Sequence, residues 1–70
     1  HIKQMALSHE FVSQIHGFYL DESKRAISFD VIVDFAAPDM EATFRAVCKQ
    51  VRAAYPNYTL IITRDSDYSG

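Results

Sequence analysis

Ile27, Phe29, Val31, Val33 and Phe35 alternate with Ser28, Asp30, Ile32 and Asp34, and no other stretch restricts the fold as tightly. A period of two sends successive side chains to opposite faces of a strand, so residues 26–34 are expected to form a strand with one strongly apolar face. β-branched and aromatic side chains dominate it, as a half-buried pleated surface favours. That face needs a cover, and the flanking helical segments are the material available in 70 residues.

The other elements follow from periodicity and punctuation. From about Ile2 to Val12, Ile2, Met5 and Val12 form a stripe with Leu7 and Phe11 beside it, which predicts a short helix. Gly17 and the Phe18–Tyr19 pair switch the pattern to a strand over 15–21, and the charged turn Glu22-Ser23-Lys24-Arg25 leads into the alternating strand. Ala36 to Asp39 stops that strand. Pro38 suits a first helical position, and Asp39 and Glu41 favour the positive end of a helix dipole. Met40, Phe44, Val47, Cys48, Val51 and Tyr55 then fall on one helical stripe, which Pro56 ends. Tyr58–Thr63 reads as the last strand, and 66–70 as a frayed tail. The predicted fold is α+β, a ferredoxin-like open sandwich in the order α-β-β-α-β. It has a three-stranded mixed sheet with two helices on one face, forming a single domain over 1–70.

Composition removes several function classes. A net charge of −2 without a basic tract argues against a nucleic-acid surface, which needs clustered Lys and Arg. One cysteine excludes an internal disulfide. Cys48 lies on the apolar stripe and reads as a small core residue. Two glycines leave no phosphate-cradling loop, and no Ser/His/Asp triad is spaced for catalysis, so no enzyme is expected. No apolar run reaches the ~20 residues that span a bilayer.

The chemistry concentrates in the hairpin. If Leu20 pairs with Ala26, then Phe18 lies opposite Ser28 and His16 opposite Asp30; paired residues share a face with Cβ atoms ~5 Å apart. Ile15 and Tyr19 then join the core face, and His16 and Asp30 lie on the helix-free face among Phe18, Leu20 and Ile32. Those three apolar residues suggest a dimer surface. An imidazole with one or two carboxylates suits a divalent cation in a mixed nitrogen–oxygen site. A surface hydrogen bond between His16 and Asp30 is the simpler alternative, and solvated charge is the simpler reading of Asp65 and Asp67. His1 and His9 carry no assigned role.

Three stretches, Val12–Asp21, Ile27–Phe35 and Tyr55–Asp65, together resemble the C-terminal cytoplasmic domain of cation diffusion facilitator transporters, over nearly the whole chain. The resemblance implies a homodimer on the cytoplasmic face of a membrane, attached to a transmembrane transport domain that exports divalent cations. It implies metal at the dimer interface, Zn²⁺ first, with Mn²⁺, Fe²⁺, Co²⁺ and Cd²⁺ as alternatives. His16 then takes the place of a metal-binding histidine, and Asp65 that of a ligand aspartate after the last strand. Asp30 and Thr63 stand where the family has histidines, and Glu41 where a nearby second site has one, which shifts the ligand set toward harder cations. Two other readings stay open: a purely structural dimerisation domain of the same family without metal, and a stand-alone ferredoxin-like module binding a small molecule.

Overall fold

The computed structural model describes residues 1–67, with side chains through Asp65. The elements run α1 (Ile2–Leu7), β1 (Val12–Asp21), β2 (Ala26–Asp34), α2 (Met40–Ala54) and β3 (Thr59–Asp67). The sheet order is β1-β2-β3, with β1 antiparallel and β3 parallel to β2. The α+β ferredoxin-like arrangement expected from the alternation is the one observed.

Strand β2 is central, and its apolar face carries the core. Ile27, Phe29, Val31 and Val33 are at most 2% exposed. Against them pack Ile2 and Ala6 of α1, Val12 and Ile15 of β1, and Val47 and Val51 of α2. The α2 pair is spaced i, i+4, which keeps both side chains on one helical face. Asp39, not Pro38, is the helix boundary: its carboxylate accepts the Ala42 amide at 3.0 Å, so Pro38 precedes the cap. Tyr55 ends the helix before Pro56, as expected.

Three boundaries differ from the sequence reading. Helix α1 stops at Leu7, with the Ser8 hydroxyl turned back to the Met5 carbonyl at 2.6 Å. Strand β1 begins at Val12, which was expected to be helical. Strand β2 ends at Asp34 as expected, but Phe35, which continues the alternation in the sequence, lies beyond it and is 65% exposed. Strand β3 runs on through Ser66 and Asp67, opposite Val33 and Asp34, where a frayed tail was expected; residues 68–70 lie outside the described part.

The hairpin register holds the main correction. Asp21 pairs with Ala26, Leu20 with Ile27 and Tyr19 with Ser28, one residue away from the expected pairing. Yet His16 still pairs with Asp30. A β-bulge reconciles the two: between His16 and Tyr19, Gly17 and Phe18 together oppose Phe29. Gly17 adopts φ +63°, the left-handed conformation that glycine enters without a Cβ penalty. A second bulge lies between Val12 and Gln14, where the Ser13 hydroxyl donates to the Ile32 carbonyl at 3.1 Å.

The turn is held locally. The Asp21 carboxylate accepts from the Ser23 hydroxyl at 2.7 Å and the Lys24 amide at 3.1 Å. These bonds, the Ser23 hydroxyl foremost, hold the Asp21 carboxyl below its ordinary pKa. The Thr59 amide donates to the Arg25 carbonyl at 2.7 Å, and the Tyr58 hydroxyl reaches the Glu22 carboxylate at 3.2 Å. The start of β3 is thereby pinned to the turn of the hairpin.

Candidate functional site on the helix-free sheet face

Residues aligned across a sheet share a face, so the register sorts every strand side chain. On the face away from the helices, Gln14, Ile32 and Asp65 form one row and His16, Asp30 and Thr63 the next. Tyr19, Ser28 and Ile61 form the third row, and Asp21, Ala26 and Thr59 the last. With Asp34 at the end of β2, this face carries four aspartates and neither lysine nor arginine among its described residues.

Two of the three expected dimer-surface residues are elsewhere. The bulge at Gly17 moves Phe18 and Leu20 to the helix side. Phe18 stacks on Phe29 with ring centroids 6.0 Å apart, and it lines a small cavity of about 160 Å³ with His1, Ile2 and Lys3 of the α1 region. Leu20 pairs with the core residue Ile27. Tyr19, expected in the core, takes the open position instead and is 62% exposed. Ile32 is on the open face as expected, but it is buried there, flanked by Gln14 and Asp65. Ile61, 59% exposed, completes an apolar pair with Tyr19 across Ser28.

The three expected metal ligands are only partly brought together. His16 and Asp30 are direct cross-strand neighbours, with Thr63 on the far side of Asp30. In this structure His16 Nε2 meets Gln14 Oε1, two residues along its own strand. Asp65 lies one row further along. From His16 it is two strands across and two residues along, a backbone separation of about 12 Å given strand spacings of ~4.8 Å and a ~3.3 Å rise. An ion held by bonds of ~2 Å cannot bridge that span through one imidazole and one short carboxylate. Accordingly, no cluster of three His, Cys, Asp or Glu suited to a metal forms among the described residues. Glu41 is remote from this face, placed 3.7 Å from Arg64 and 4.0 Å from Arg45. His9 contacts Gln50 at 2.6 Å, a contact between α2 and the segment after α1 that the sequence reading did not anticipate.

The opposite side of the molecule differs in character. The outer face of α2 carries Arg45, Lys49 and Arg52 around an open groove of about 610 Å³ that Cys48 also lines. Burial pushes the Cys48 thiol up, with Glu41 adding to the shift and Arg52 opposing it. A thiol with a raised pKa is a poor nucleophile at neutral pH.

The fold and the site define an α+β open sandwich that presents one acidic, partly apolar sheet face. Compared with protein-family models, curated proteins and solved structures, the chain matches none. No helix among the described residues is long and apolar enough to cross a membrane.

Proposed function

We propose that this chain is a non-catalytic regulatory domain of a divalent-cation efflux transporter, similar to the C-terminal domains of cation diffusion facilitators. In this reading it self-associates at the cytoplasmic face of a membrane, tied to a transmembrane transport domain, and its helix-free sheet face senses the cation. The observation that carries the reading is the His16–Asp30–Thr63 row in the middle of an acidic face with no lysine or arginine among its described residues. His16 and Asp30 supply two ligands, water completes the coordination, and Asp65 adds negative field from the next row without reaching the ion. A site with two protein ligands is weak, and it competes with protons for the His16 imidazole.

The test is thermal melting with added Zn²⁺ or Mn²⁺. A cation at a hundred times its dissociation constant adds about 2.7 kcal/mol to stability. For a domain this small that raises Tm by roughly 10–20 °C. His16→Ala should remove the shift. No shift in the parent chain would leave a structural dimerisation domain without metal as the surviving reading, and an unchanged shift in His16→Ala would remove the sensing role from the His16–Asp30 row while leaving the self-association.

A further inference from the structure

The two outer strands of the sheet are not equivalent as edges. An edge strand offers unpaired backbone N–H and C=O groups, and proteins blunt such edges with bulges, charges or proline. Strand β1 has two bulges. Strand β3 has none: it pairs residue for residue with β2 from Thr59 to Asp67. Its first half is also uncharged. Tyr58-Thr59-Leu60-Ile61-Ile62-Thr63 contains no charge, proline or glycine, and charges begin only at Arg64. Such a segment on an open edge is a template for strand pairing. Coverage follows the same asymmetry. Leu60 and Ile62 share the helix face with Ile27 and Phe29, yet they stay half-buried while the β2 pair is at most 2% exposed.

We propose that the outer edge of β3 is a strand-addition surface for a second copy of this chain, pairing β3 with β3 antiparallel about a two-fold axis at Ile61 and joining two sheets into one of six strands. The sequence around Ile61 is suited to this because Thr59-Leu60-Ile61-Ile62-Thr63 reads the same in both directions by chemical type. A two-fold axis normal to the sheet keeps like faces together. Ile61 then opposes the partner's Ile61, Leu60 the partner's Ile62, and Thr59 the partner's Thr63. Threonine pairs and β-branched pairs are favourable cross-strand neighbours.

Charge decides between this arrangement and docking through the open face. Face-to-face docking of two copies presses four aspartates against four, with no lysine or arginine among the described residues there to offset them. In the edge arrangement each Asp65 is four residues from the axis. The two copies' carboxylates are then about 26 Å apart along the strands, well beyond the ~8 Å Debye length at physiological salt. The inference rests on strand geometry and not on cation binding; it names the surface for the self-association that the proposed function includes.

Sedimentation of the 70-residue chain up to millimolar concentration, with circular dichroism to verify folding, tests it. The expected result is a dimer that Ile61→Lys and Ile61→Glu each weaken by roughly tenfold or more, since like charges then face each other at the axis. An equimolar mixture of the two variants should associate again. Tyr19→Lys, on the far strand of the same open face, should leave the dimer intact. Amide exchange at Thr59–Thr63 should slow as the dimer forms. A folded monomer at every concentration overturns the proposal, and so does dissociation by Tyr19→Lys as complete as that by Ile61→Lys. The zinc-dependent Tm shift is unaffected by either outcome, so failure here is distinguishable from failure of the sensing role.

Discussion

Replacing Gly17 with alanine isolates the backbone feature on which the hairpin geometry depends. Gly17 sits at φ +63° in the bulge. A Cβ added there would meet Asp30 Oδ2 at 3.5 Å, an ordinary van der Waals distance. Space is therefore not the obstacle, and the cost is conformational: an L-residue with a Cβ pays about 1–2 kcal/mol in the left-handed region. For a domain of this size a destabilisation of 1 kcal/mol lowers Tm by about 4–8 °C, so Gly17→Ala should lower it by roughly 5–15 °C. Asparagine tolerates positive φ better than alanine, so Gly17→Asn should lose clearly less. Urea denaturation followed by circular dichroism gives the free energies, and thermal scans give the Tm values. Equal losses for alanine and asparagine, or a neutral alanine, would refute the reasoning, because either result means that φ at Gly17 is not what the bulge requires.

Three further outcomes follow from local contacts. Asp39→Ala removes the acceptor for the Ala42 amide and should cost about 1 kcal/mol in urea denaturation, the usual price of a lost helix cap. The depressed Asp21 pKa means that this carboxylate stabilises the fold above its unfolded-state pKa, near 3.8, and that the contribution is lost as pH falls through the lower folded value. A carboxyl NMR titration should place the Asp21 midpoint below 3.8, and Ser23→Ala should move it up; a midpoint at or above 3.8 contradicts the turn geometry. Because burial raises the Cys48 pKa, iodoacetamide should modify the folded protein near pH 8 more slowly than the urea-unfolded chain, and equal rates would show the thiol to be unshielded.

Much of the fold was legible because hydrophobic alternation is a local signal. Strand β2 and the stripe of α2 are read directly from side-chain type, and both occupy the faces expected of them except at Cys48, which was expected in the core and instead lines the outer groove beside Arg45, Lys49 and Arg52. The errors cluster on β1 and have one cause. A bulge adds a residue, so side chains that share a face fall three apart instead of two. Val12 and Ile15 both face the core across the bulge at Ser13, and His16 and Tyr19 both face outward across the bulge at Gly17. A spacing of three imitates helical periodicity, so β1 lacks the clean period of two that marks β2, and Val12 continues the Ile2–Met5 stripe of the first helix in the sequence. The available clue was an isolated glycine inside a strand pattern, a common mark of a bulge.

By itself the sequence determined the class of the fold, the central strand and the buried face of the second helix, because each depends on the order of apolar and polar residues along a few turns or pleats. It also paired His16 with Asp30, although the register offset at the turn and the bulge had to cancel for that pairing to hold. Only the tertiary structure decided which side Phe18, Tyr19 and Leu20 occupy, since one inserted residue reverses every face assignment beyond it. The separation of Asp65 from His16 was likewise a tertiary matter. It is set by how many strands lie between them and how the parallel crossover aligns β3 on β2, and neither is encoded in the spacing of those residues along the chain.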